Sequence, residues 1–91
     1  MPGDVLMVAQ QSTDKVTGKS FTWRWFGVVR RPRLRQADAI PVLHLTHDRF
    51  TYAYPSSREM DITLLEEEHW PDGVRALRLR AILEGRIDLE A

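Results

Sequence analysis

Apolar and polar residues alternate along much of the first two thirds of the chain, and this pattern predicts short β-strands. The clearest case is Phe21 to Trp25, where aromatic and polar residues alternate before an apolar run that ends at Val29. The other strand-like segments are Val5 to Ala9, Pro41 to Thr46, Phe50 to Tyr54 and Met60 to Leu65. Turn-forming residues separate the segments, so the spacing is typical of a small antiparallel barrel of five strands.

The residues between and within these segments predict a loop, a turn and one irregular position. The polar stretch from Gln10 to Ser20 predicts a loop, and His47-Asp48-Arg49 predicts a tight turn. Gly27 lies inside the second strand, which indicates either a bulge or a close approach of neighbouring atoms to the backbone.

The last part of the chain has a different period, which predicts a helix. Val74, Leu77 and Ala81 recur at helical spacing, Asp72 is placed to cap the N-terminus, and Gly85 lies where a C-terminal cap belongs. Arginines alternate with apolar residues in the same stretch, so a strand is the alternative prediction. Because Ala, Leu, Arg and Glu are strong helix formers, the helix is favoured.

Composition agrees with one folded domain. The chain has 91 residues, of which 43% are hydrophobic, enough for a single core. It has no cysteine, which excludes disulfides, thiolate metal sites and cysteine nucleophiles. No apolar run approaches the ~18 residues of a membrane span. We therefore predict a mainly β domain over residues 1–91, with the barrel in 1–70, a short C-terminal helix and tail in 71–91, and no membrane partner.

No group of residues has the pattern of an active site. Ser56 and Ser57 lack the glycines of a nucleophile elbow, and Gly18-Lys19-Ser20 lacks the upstream glycine of a phosphate-binding loop. His44 and His47 would face opposite sides of a strand, so a metal site would require the turn to redirect one of them. The sequence thus predicts a binding protein with no catalytic residue, cofactor, metal or small-molecule substrate.

The net charge is zero, but the charges are unevenly distributed. Residues 1–35 carry seven basic and two acidic residues, and the remainder carries six basic and eleven acidic ones. Arginine binds phosphate through two parallel hydrogen bonds, so a basic loop that follows a rigid strand suits an RNA backbone. We expect Trp23 and Trp25 in the core and Arg24 in solvent. The predicted RNA contacts are Lys19, Arg24, Arg30, Arg31, Arg33 and Arg35, with Arg75, Arg78 and Arg80 as second choices.

Several short motifs follow one another in an order that resembles the bacterial-type large-subunit ribosomal protein nineteen family. Pro2-Gly3-Asp4-Val5 and Phe26-Gly27-Val28-Val29 are similar to the opening strands of that family, and Asp61-Ile62-Thr63-Leu64 and Gly73-Val74-Arg75 follow in the family's order. Each motif is short, so the colinear series carries the resemblance, which covers nearly the whole chain.

The resemblance implies an SH3-like barrel with an architectural role in the large ribosomal subunit, near its interface with the small subunit. Its partners would be ribosomal RNA and neighbouring ribosomal proteins. Val16-Thr17-Gly18-Lys19 is closer to mitochondrial members, which implies a mitochondrial ribosome, with the cytoplasm of a bacterium as the alternative. The chain departs from the family where Ile87-Asp88-Leu89-Glu90 replaces a basic tail, and this weakens the implied RNA contacts of the C-terminal part.

An interpretation from another class stays open. The acidic helical half, including Glu66, Glu67 and Glu68, would suit a protein-interaction module such as an inhibitor or adaptor. RNA binding predicts an affinity that falls steeply with salt. An adaptor predicts that apolar and aromatic residues dominate binding instead.

Overall fold

The computed structural model describes residues 1–32 and 38–89, which form a five-stranded antiparallel sheet and a C-terminal helix. The strands are β1 (Val5–Thr13), β2 (Ser20–Val29), β3 (Ile40–His44), β4 (Arg49–Ala53) and β5 (Met60–Leu65). A 3₁₀ turn at Glu67–His69 leads to the helix α1 (Val74–Leu83). The mainly β class with a short C-terminal helix is confirmed. None of the helices in these two ranges is long and apolar enough to cross a membrane.

The sheet has the strand order β4-β3-β2-β1-β5, as in SH3-like folds. The first four strands form a meander, and β5 returns to pair with β1. Across the described ranges the edge strands β4 and β5 do not pair, so the predicted barrel is corrected to an open sheet. Closure requires a fixed stagger that brings the two edge strands into register, and in the described ranges β4 pairs with β3 and β5 pairs with β1.

One face of the sheet encloses an apolar cluster, the inner core. It contains Leu6, Val8, Trp25, Val29, Val42 and Ala53 as buried residues. Ile62 of β5 packs against the same cluster that buries Ala53 of β4, so the sheet bends around this core. Trp25 is buried, Trp23 is half-buried and Arg24 is exposed, as the alternation predicted.

Gly27 permits the closest packing in the inner core. A Cβ atom at this position would lie 3.2 Å from Val42 Cβ and 3.2 Å from Trp25 Cζ3. The register between β1 and β2 runs without interruption through Gly27. The prediction of a close approach is therefore confirmed, and the bulge is absent from this ladder.

The opposite face carries the outer core, which α1 covers. Its buried residues are Val5, Val28, Leu43, Val74, Ala81 and Ile87. The helix begins after Gly73, which has a left-handed φ of 87°. No side-chain bond caps this terminus, so the predicted cap at Asp72 is wrong. Gly85 follows the helix with a φ of +74°, as expected for a C-terminal cap.

Strand β1 is longer than its apolar residues predicted. It continues to Thr13, which pairs with Ser20, so the first four residues of the predicted loop, Gln10 to Thr13, belong to a two-stranded ribbon. Polar side chains have partners there: the indole N–H of Trp23 donates to Ser12 Oγ, and that of Trp25 donates to Gln10 Oε1, both at 3.1 Å. Backbone pairing and these bonds extend the strand where hydrophobic alternation ends.

Candidate nucleic-acid interface

Three predicted RNA contacts project into solvent along β2. Lys19 precedes the strand, Arg24 lies in its middle, and Arg31 lies just beyond its end. All three are exposed, and none forms an ion pair within residues 1–32 and 38–89. Lys19 and Arg31 flank the two ends of β2, which a ten-residue strand separates by about 33 Å, and Arg24 lies on the face opposite to Trp25. The three cations therefore do not form one compact patch.

Arg30 is used inside the molecule. Its guanidinium carbon lies 3.3 Å from the centroid of the Phe50 ring, a cation–π contact. Burial lowers the pKa of Arg30, and the nearby charge of Arg31 lowers it further. Its carbonyl accepts the N–H of Asp88 at 2.7 Å. Arg30 therefore joins the C-terminal segment to the sheet, which leaves it poorly placed to reach a phosphate.

Of the second-choice arginines, Arg75 and Arg78 are engaged within the fold and Arg80 is exposed. Arg75 forms an ion pair with Glu67, and the hydrogen bond from Arg75 lowers the pKa of that carboxyl. Arg78 Nε donates to the carbonyl of Gly3 at 2.7 Å and thereby ties α1 to the N-terminal turn. Arg80 is exposed and has no ion pair among the residues described. Among the described residues, Arg80 is thus the member of this group that makes no ion pair or side-chain hydrogen bond.

The connection between β2 and β3 is the most basic part of the chain. This arginine-rich connection, residues 30–35, has four arginines in six positions. Two of them, Arg33 and Arg35, lie outside the described residues. The described residues on either side are held by hydrogen bonds: the Arg30 N–H donates to Pro41 O in β3 at 2.9 Å, and Asp38 Oδ2 accepts the N–H of Ser56, in the turn after β4, at 3.0 Å.

The sequence did not indicate that one histidine lies in the inner core. His44 is only 3% exposed, and its ring stacks on Trp25 with centroids 4.5 Å apart. The ring of His47 stacks on its other side at 4.3 Å, because His47 lies in the turn after β3. The turn therefore redirects His47, which is the condition that the sequence set for bringing the two histidines together. No group of three or more metal-ligating side chains occurs in the described ranges.

A small cavity lies beside His44 where the sheet is open. Its volume is about 180 Å³, and it has both aromatic and polar walls. Tyr52 and Tyr54, each 44% exposed, line it with ring centroids 6.5 Å apart. The alternation from Phe50 to Tyr54 indicated a strand, but the register places Phe50 and Tyr52 on the face opposite to His44. The opposition of His44 to Arg49 across the β3–β4 ladder did not follow from that pattern.

Comparisons of the chain with protein-family models, curated proteins and solved structures gave no match. The resemblance to the ribosomal family therefore stays a prediction. The class that the fold defines is an open, SH3-like sheet with a covering helix, and functional inference rests on its surface chemistry.

Proposed function

We propose that the protein is a non-catalytic, RNA-binding component of the large ribosomal subunit. The observation that carries the proposal is the arginine-rich connection, whose four arginines lie within six residues. Like charges this close repel one another, and the described part of the fold gives Arg31 no acidic partner. A polyanion would relieve that repulsion, whereas the two apolar cores do not require the charges.

The exposed cations at the ends of β2 support the same ligand. Lys19 and Arg31 flank a strand of about 33 Å, a length over which several phosphates of one RNA would be in reach. Guanidinium groups match phosphate oxygens with two hydrogen bonds. The role is architectural: contacts at several phosphates would fix the RNA geometry. Ribosomal RNA is the target that the family resemblance implies.

The test compares two double variants with the same change in charge. Arg31→Gln/Arg33→Gln changes the connection, and Lys15→Gln/Arg58→Gln changes exposed cations elsewhere. Binding to a labelled fragment of large-subunit ribosomal RNA is measured by fluorescence anisotropy over a potassium chloride series. The first variant should reduce the slope of log affinity against log salt by roughly 0.7–0.9 per lost phosphate contact. Equal losses in both variants would contradict the proposed site.

A second candidate, a protein-interaction module, has one specific observation in its favour. Leu79 and Leu83 lie one turn apart on α1 and are 53% and 78% exposed. A Leu79→Ser/Leu83→Ser variant separates the candidates. The interaction module would be favoured if the unmodified protein did not bind RNA and this variant lost binding to a protein partner.

A further inference from the structure

His44 presents a buried hydrogen-bond donor that the fold leaves unused. Its Nδ1 accepts the backbone N–H of His47 at 3.2 Å, so the proton of the neutral ring resides on Nε2. Burial lowers the pKa of His44, and the neighbouring His47 and Arg49 lower it further, which favours the neutral ring. Nε2 is buried and has no partner among the described residues. Because an unpaired buried donor destabilises a fold, an external acceptor is a physical explanation for it.

Aromatic rings surround this donor. Trp23, Tyr52 and Tyr54 line the cavity together with His44. The indole N–H of Trp23 is already bonded to Ser12, so this wall offers ring surface and no donor. The cavity, at about 180 Å³, is smaller than the roughly 300–1,000 Å³ of sites for drug-sized ligands. Its size and walls suit a single planar ring.

Charge at the cavity selects against a cationic ligand. Arg49 lines it, and no aspartate or glutamate does so among the described residues. A cage of aromatic rings also suits an ammonium group, but a guanidinium beside it would repel that ligand. The histidine donor and the arginine together favour a ligand that carries acceptors and is attached to an anion.

We infer that this cavity binds one unpaired nucleobase. The base stacks on the ring of Trp23, which shares the His44 face of the sheet, an oxygen or nitrogen of the base accepts a hydrogen bond from His44 Nε2, and Arg49 faces the adjoining phosphate. This inference rests on the proposed RNA binding and deepens it, since it adds recognition of a base to contacts with the backbone.

The test separates bases from backbone. The full chain is titrated with an eight-nucleotide uridine RNA and with an abasic oligonucleotide of the same length and charge. The uridine RNA should bind about ten-fold more tightly, as expected for one stacked base. Trp23→Leu should remove this difference, because Trp23 lines the cavity on the same face as His44. Phe21→Leu is the matched control, because Phe21 is an aromatic residue of the same strand and does not line the cavity.

A second measurement distinguishes failure of the inference from failure of the proposed function. Uridine monophosphate is added while backbone amide resonances are followed by NMR, and those of His44 and Tyr52 should shift. Equal binding of the uridine and abasic oligonucleotides, with no shift from the nucleotide, would overturn the cavity and leave backbone binding intact. If the nucleotide shifts the cavity resonances but oligonucleotide binding does not depend on the arginines of the connection, the proposed function alone is overturned. A proline-rich peptide that shifts these resonances when the nucleotide does not would assign the cavity to a peptide.

Discussion

The two faces of the sheet are completed in different ways. On the outer face, α1 buries Val74 and Ala81, and Arg78 donates to a backbone carbonyl. The inner face ends in a cavity lined by the half-buried Trp23 and by a donor of His44 that has no partner among the described residues. The chain covers the outer face with its own helix, whereas the inner face leaves recognition chemistry accessible. This contrast separates groups that stabilise the fold from groups that are available to a ligand.

The openings of the inner core strengthen the contrast. Arg49 lines the cavity beside His44, and Arg31 lines a second cavity with inner-face residues Leu6, Val29 and Ile40. Each cavity therefore has an arginine beside apolar walls. On the outer face, Arg30 and Arg78 are engaged with Phe50 and Gly3. Similar side chains thus have different roles on the two sides.

The largest expected effect comes from breaking the inner core. Trp25→Ala removes a buried indole and its bond to Gln10, so the free energy of unfolding should fall by about 3–5 kcal/mol in a urea titration. Trp23→Ala is the control and should cost less, because Trp23 is only half-buried. A loss below about 1 kcal/mol at Trp25 would show that the inner core contributes little to stability.

A smaller effect is expected on the outer face. Arg78→Met removes the bond to Gly3 O and should lower the free energy of unfolding by about 1 kcal/mol, since the side chain is partly exposed. Arg80→Met changes the same charge on the same helix without losing a hydrogen bond, and should stay within about 0.5 kcal/mol. Equal effects of the two variants in thermal unfolding would contradict the role given to Arg78.

The buried histidine predicts a dependence of stability on pH. Burial lowers the pKa of His44 in the folded state, so the unfolded chain takes up the proton first as the pH falls. Stability is therefore fully present above the ordinary histidine pKa of about 6.5 and is lost progressively below it. Urea midpoints between pH 5 and 8 should fall on acidification, and should fall less in His44→Gln. Identical profiles for the two proteins would refute this assignment.

The fold was largely predictable because alternation sets the strands. Met60–Leu65 is a strand with the predicted bounds, and Ile62 and Leu64 share a face as expected. The extension of β1 to Thr13 was not predictable from hydrophobicity, since polar residues pair there through backbone and indole bonds. Barrel closure also lies beyond the pattern, because it depends on the relative stagger of strands distant in sequence.

The candidate site was only partly predictable. The arginines were evident from composition, but Arg30 and Arg78 are engaged by Phe50 and by Gly3, which are distant in sequence. The position of His44 depends on a residue in the neighbouring strand. Gly27 lies opposite it and lacks a side chain, which leaves room for the ring of Trp25, on which His44 stacks. Such three-dimensional neighbours leave no periodic signal in the chain.

The smallest effect is expected on the exposed side of α1. Leu83 is 78% exposed, so Leu83→Gln should change the free energy of unfolding by no more than about 0.5 kcal/mol. RNA affinity in the anisotropy assay should also be unchanged. A marked loss of RNA binding would place the helix in the RNA interface and remove the distinction between the two faces.

The most direct test of the RNA-binding account is sedimentation of the tagged protein in a lysate gradient, with and without RNase. The account predicts migration with large ribosomal subunits, which RNase abolishes and Arg31→Gln/Arg33→Gln weakens. Migration as a free small protein, or in an RNase-resistant complex without ribosomal RNA, would contradict it.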